Sequence, residues 1–169
     1  MVEAHAAYAL PLVFCIGAPL YRALKMTHRQ TFKQIANYFE NISPESVQKI
    51  KELYAPTARF KDPFNDVKGI AEIERIFQHM FVSLAEPRFV VIEEVVDGSQ
   101  AFLTWEFRFK FRRFDTETEQ VVLGTTHLVL DAQGLVCLHR DYWDAAEELY
   151  EKLPVVGSVM RWLKRRANS

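Results

Sequence analysis

Trp105, Phe107, Phe109 and Phe111 alternate without a break with Thr104, Glu106, Arg108 and Lys110. Successive side chains of a strand point to opposite faces, so this stretch reads as a strand with one aromatic face and one polar face. The aromatic face has to be covered, and an isolated hairpin cannot cover it; further strands and a second layer are required. The same period of two governs the chain from Pro87 onward. Phe89–Val96 reads as a strand and Asp97-Gly98 as a tight hairpin turn. After the polar turn Asp115–Glu119 comes a strand over Gln120–Leu130, and Asp131–Gly134 turns the chain into a last strand, Leu135–Trp143.

Before Pro87 the period is helical. Thr27 followed by Gln30 has the form of a capping box. Phe32, Ile35, Ala36 and Phe39 then recur on one helix face, with Tyr38 at its margin. Ser43-Pro44-Glu45 signals a second helix start, and Val47, Ile50, Leu53 and Tyr54 form its stripe. Gly69 opens a third helix striped by Ile70, Ile73, Ile76, Phe77 and Met80. Three N-terminal helices followed by a run of strands predict an α+β fold, with the helices packed on one face of a curved antiparallel sheet.

The 169 residues suit one domain. A net charge of −1 gives no electrostatic case for nucleic acid. Cys15 and Cys137 lie far apart and match no metal spacing or disulfide framework, so a reducing, cytoplasmic location is expected. Residues 1–25 stand apart from the domain at 26–150. Ala6–Leu20 is apolar but shorter than the roughly 20 residues of a bilayer-spanning helix, and Pro11 and Pro19 interrupt it. It lacks the leading positive charge of a secretory signal, and a poorly ordered arm is expected. Residues 151–169 form a basic amphipathic helix in which Val159, Met160, Trp162 and Leu163 interleave with Arg161, Lys164, Arg165 and Arg166. Two readings stand open: a closing helix with its apolar side on the domain, or a helix lying on an anionic membrane surface or a partner.

Asp62 precedes Pro63, and a residue before proline is driven toward extended geometry, which makes this a stiff corner. Phe60 and Phe64 flank it. The carboxylate either looks into apolar surroundings, where its proton affinity would rise toward that of a general base, or caps the next turn.

Three pieces of the sequence are familiar together: Tyr38 at its separation from Asp62, the segment Leu-Tyr-Ala-Pro-Thr-Ala-Arg-Phe-Lys-Asp-Pro (53–63), and Thr-His-Leu-Val-Leu-Asp-Ala-Gln-Gly-Leu-Val (126–136). They resemble the NTF2-like superfamily of cone-shaped domains, in particular its SnoaL-like and ketosteroid-isomerase-like branch, over roughly two thirds of the chain. The resemblance implies that Asp62 is a proton-shuttling base and Tyr38 a donor to an enolate oxygen. Thr126 stands where the isomerases carry a second, protonated acid. Losing one such donor typically costs ~10²–10³ in turnover, which argues against steroid isomerisation itself.

On the register of Thr126, His139, Asp141 and Trp143 face the pocket, and His139 with Asp141 suggests either an acid–base pair or a salt bridge tying down the tail. Tyr54, Phe60, Trp105, Phe107, Phe109 and Trp143 are the expected pocket walls, selecting a small apolar and cyclic carbonyl compound. His127 falls on the opposite face from Thr126, so no metal site is expected, nor any other cofactor. The resemblance further implies a homodimer. Proton-transfer catalysis of an isomerase or cyclase type and a non-catalytic binding or interaction domain both remain open.

Overall fold

The computed structural model describes residues 27–113, 115–153 and 156–167. The expected N-terminal arm lies outside the described residues, as does Cys15. Helix α1 (His28–Glu40) begins at the expected capping box, with the Thr27 and Gln30 side chains each bonded to the other's backbone. It buries Phe32, Ile35, Ala36 and Phe39. A 3-10 helix (Val47–Glu52) leads into β1 (Tyr54–Lys61) and the short β2 (Asp66–Lys68). Helix α2 (Ile70–Ser83) follows, then β3 (Leu84–Asp97), β4 (Gln100–Phe111), β5 (Gln120–Leu130) and β6 (Val136–Tyr142). The chain closes with a single turn α3 (Ala145–Glu148), a 3-10 turn (Tyr150–Lys152) and α4 (Val156–Ala167).

The strands form one curved sheet in the order β2-β1-β6-β5-β4-β3. Its pairs are antiparallel except β1 with β6, which run parallel, so the expected antiparallel sheet is corrected to a mixed one. Alternation identifies a strand's faces, whereas pairing direction between β1 and β6 is decided by everything that lies between them in the chain.

The second expected helix is also corrected. Ser43–Tyr54 holds only the six-residue 3-10 helix Val47–Glu52, and Tyr54 begins a strand. Strand β3 starts earlier than expected and runs through Pro87. It is an edge strand, and a bulge between Ala85 and Arg88 with Glu86 at φ 52° absorbs the proline.

The inner sheet face divides the apolar residues in two. Ala101, Leu103, Leu128, Leu130 and Val136 pack with α1, β1 and α2 in the main core. Farther along β4 and β5, Trp105, Phe109 and Val122 form a second cluster with Phe89, Phe107, Phe111 and Trp143 against it. These aromatics wall the open end of the cone. On the outer face Val95, Phe102, Leu123 and Tyr142 are exposed. His127 stacks on Phe102 there, away from His139 and Asp141 on the inner face.

Candidate functional site

Strand register places three polar side chains side by side on the inner face. Thr126 of β5 pairs with Asp141 of β6, and His139 lies two residues before Asp141 on the same face. Around them Phe39, Phe77, Phe89, Val91, Leu103 and Leu128 enclose a small hollow of about 30 Å³, room for a water molecule. Asp141 also borders a larger cavity of about 340 Å³, whose other walls include Phe60, Phe77, Phe107, Phe109, Trp143 and Leu149. Phe77, Phe89, Trp105 and Asp141 are common to both spaces.

Five side chains form a continuous hydrogen-bonded chain under this cavity. The Trp105 indole N–H donates to Thr126 Oγ1 at 2.8 Å, and the Thr126 hydroxyl donates to Asp141 Oδ1 at 2.5 Å. His139 Nε2 meets the same Oδ1 at 2.9 Å, and its Nδ1 meets the Tyr54 hydroxyl. The donors and acceptors follow from the chemistry of each group. An indole N–H can only donate, which commits the Thr126 proton to Asp141. Oδ1 is therefore an acceptor, and His139 offers it Nε2–H. Neutral imidazole then accepts the Tyr54 proton on Nδ1, an assignment made from the network. Tyr54 is wholly buried, and burial, followed by the nearby Asp141 charge, pushes its hydroxyl well above the usual tyrosine range. It therefore stays a proton donor at neutral pH.

Asp141 Oδ2, by contrast, has no hydrogen-bond partner among the described residues. The carboxylate is thus fixed through one oxygen, and the residue borders the aromatic-walled cavity.

Asp62 takes the second of its two expected places, closing the turn that follows it. Its Oδ1 accepts from the backbone N–H of Phe64 (2.7 Å) and Asn65 (2.6 Å), and Asn65 Nδ2 bonds both carboxylate oxygens. The group borders the cavity, yet its oxygens are engaged in closing the turn before β2. Tyr38 is not among the residues lining either cavity, which corrects its expected place in the pocket. Its hydroxyl donates to the Ser46 carbonyl at 2.9 Å and ties α1 to the loop after it. Burial pushes that hydroxyl up to about 12. Thr126 lines the inner hollow, but its proton already serves Asp141, so it is not a free donor to an oxyanion.

The expected walls Phe60, Trp105, Phe107, Phe109 and Trp143 do line the larger cavity, whereas Tyr54 lies behind His139 and does not. Sequence reasoning missed Phe64, Asn65, His79 and Ser83, which also line it. It also missed Gly124, which stands opposite Trp105 across the β4–β5 ladder. A Cβ at Gly124 would stand 2.2 Å from the Trp105 ring, so the absent side chain is what lets the indole lie flat and reach Thr126. Gly124→Ala is expected to cost about 1–3 kcal/mol through this overlap, read by denaturant unfolding. An unchanged midpoint would mean that the ring has room to move.

A family model described as a SnoaL-like domain matches residues 35–139. No curated protein sequence matches the chain. Among solved structures, an NTF2-like protein of unknown function from Burkholderia pseudomallei superposes with a TM-score of 0.61 at 16% identity, over 71% of this chain and 92% of that one. A candidate SnoaL-like polyketide cyclase from Jannaschia gives 0.60 at 16% identity, over 70% and 88%. An LEH-like epoxide hydrolase from M. tuberculosis gives 0.57 at 12%, over 72% and 85%. At these identities the likeness concerns the fold.

Proposed function

This chain belongs to the SnoaL-like domain family, and we propose that it binds a small apolar, cyclic carbonyl compound in its cone and moves protons on it through Asp141. The reading rests on one observation: Oδ1 of Asp141 is held by Thr126 and His139, Oδ2 has no hydrogen-bond partner among the described residues, and Asp141 borders an aromatic-walled cavity. A carboxylate so held is oriented without being used up, which is what a general base needs. Oδ2 takes the proton from a carbon next to the carbonyl, the C–H electron pair becomes the enolate, and the proton returns to the same or another carbon. Isomerisation, ring closure and exchange with solvent all share that first step. His79 and Ser83, exposed polar residues of the cavity lining, are candidates to meet the carbonyl oxygen.

Asp62 and Tyr38 take structural roles in this scheme. The test is a panel of flat apolar ketones, scored for binding and for deuterium uptake from heavy water at the carbon beside the carbonyl. Tyr38→Phe and Asp62→Ala are expected to retain exchange to within roughly a few-fold, while each lowers stability by about 1 kcal/mol. Exchange abolished in Asp62→Ala but retained in Asp141→Asn would return the base role to Asp62.

The exposed Val95, Phe102, Leu123 and Tyr142 of the outer sheet face support pairing with a second copy. Sedimentation of the full chain is expected to give twice the 19.7 kDa chain mass, and a monomer at all concentrations would remove this part.

A further inference from the structure

Helix α4 docks with its apolar side turned away from the domain. Its packing is chiefly on the 3-10 turn Tyr150–Lys152, through the buried Gly157, where a Cβ would stand 2.2 Å from the Glu151 carbonyl oxygen. Arg161 Nη1 donates to that same carbonyl at 2.9 Å, and Lys164 Nζ reaches Glu147 at 3.1 Å and Glu151 at 3.4 Å. At 100° per residue Gly157, Arg161 and Lys164 share one side of the helix. Val156, Val159 and Leu163 occupy another, with Trp162 beside them, and these four are 42%, 52%, 46% and 49% exposed. The closing-helix reading, with the apolar side on the domain, is thereby corrected.

We propose that this outward face of α4 lies in the interface of an anionic lipid bilayer. Among the described residues no helix is long and apolar enough to cross a membrane, so the contact is with the surface. Within Val156–Ala167 there are four cations, Arg161, Lys164, Arg165 and Arg166, and no acid. That composition disfavours a second copy of α4 as the occupant, because self-pairing would bring like charges together. An anionic bilayer supplies both a depth of hydrocarbon for Val156, Val159 and Leu163 and negative charge for Arg165 and Arg166, whereas Arg161 and Lys164 lie on the domain side, bonded at Glu151 and Glu147. Each cation near such a surface is worth about fivefold in partitioning. The Arg166 guanidinium lies 5.3 Å over the Trp162 ring, giving an amphipathic pair of the kind that sits at the headgroup level. A single short helix gives reversible attachment.

The attachment adjoins the cavity. Leu149, next to the turn that holds α4, lines it, and Tyr150 packs at 6.3 Å on Phe64, a 53% exposed residue of the lining. If the cavity takes an apolar ligand, as the preceding reading has it, docking brings its open end to the phase where such a ligand dissolves.

The test is co-sedimentation of the full, ligand-free chain with vesicles of phosphatidylcholine alone or mixed with phosphatidylglycerol. Binding to the mixed vesicles only, weakened by salt, is expected. Val159→Ser with Leu163→Ser should reduce it roughly a hundredfold, with the thermal midpoint unchanged because both side chains are exposed. No binding to anionic vesicles overturns the proposal. So does binding that survives the double substitution, which would place attachment elsewhere in the chain, and so does a loss of self-association in place of a loss of vesicle binding. Because no ligand is used, these outcomes are independent of whether the cavity binds one.

Discussion

Asp141→Asn is expected to lower the rate of proton exchange into a bound ketone by about 10²–10⁴-fold, with binding and fold retained. The amide has nearly the shape of the carboxylate, and its oxygen can still accept from Thr126 and from His139. Its nitrogen replaces Oδ2, the atom with no partner among the described residues, and offers no lone pair to take a proton. The defect should therefore fall on turnover and leave affinity, since the aromatic walls that bind an apolar ligand are untouched. Mass spectrometry of deuterium uptake measures it directly. An unchanged rate would assign the chemistry to another group, with Asp62 the next on the cavity lining.

His139→Ala is expected to lower the unfolding free energy by about 3 kcal/mol. The imidazole is buried among rings, with centroids 4.8 Å from Phe60, 5.5 Å from Phe39 and 6.0 Å from Tyr54. Truncation leaves a void there and strands the wholly buried Tyr54 hydroxyl without its acceptor. It also removes one of the two donors that hold Asp141. For a domain of this size the thermal midpoint should fall by about 10 °C. Tyr54→Phe should cost only about 1 kcal/mol, because it removes the hydroxyl without opening the core. The double variant should lose less than the sum of the two, since each deletes the same hydrogen bond. Strict additivity would mean that the bond contributes nothing to stability. Thermal unfolding followed by circular dichroism distinguishes the cases.

The features legible in the sequence are those set by local periodicity. The β4 alternation fixed which side chains face inward, and the register of β5 against β6 brings Thr126, His139 and Asp141 together; alternation gave the shared face of His139 and Asp141, and the family resemblance placed that face inward beside Thr126. The capping box at Thr27 located α1, and Asp97-Gly98 located the β3–β4 turn, where Gly98 has φ 57°. What escaped was decided by contacts distant in sequence or by competition between equally local partners. Asp62 before proline suits a turn and a catalytic corner alike. Three donors from Phe64 and Asn65 engage its carboxylate in the turn. The direction of the Tyr38 hydroxyl depends on where the loop through Ser46 passes, which helical spacing does not report. Tyr54 fitted a helical stripe, but its pairing with Val136 in β6 makes it the first residue of a strand and delivers its hydroxyl to His139. The Trp105–Thr126 bond was partly readable, since a buried indole N–H seeks an acceptor. The glycine that makes room for it became meaningful only once β4 and β5 were in register.

Soaking a crystal of the full chain with a flat cyclic ketone tests the central claim most directly. The account predicts the ketone between the walls of Phe77, Phe107 and Trp143, with the carbon beside its carbonyl about 3–3.5 Å from Asp141 Oδ2. A ligand seated elsewhere, or a cavity occupied while Oδ2 is bonded to a protein donor and turned from the ligand, would contradict it.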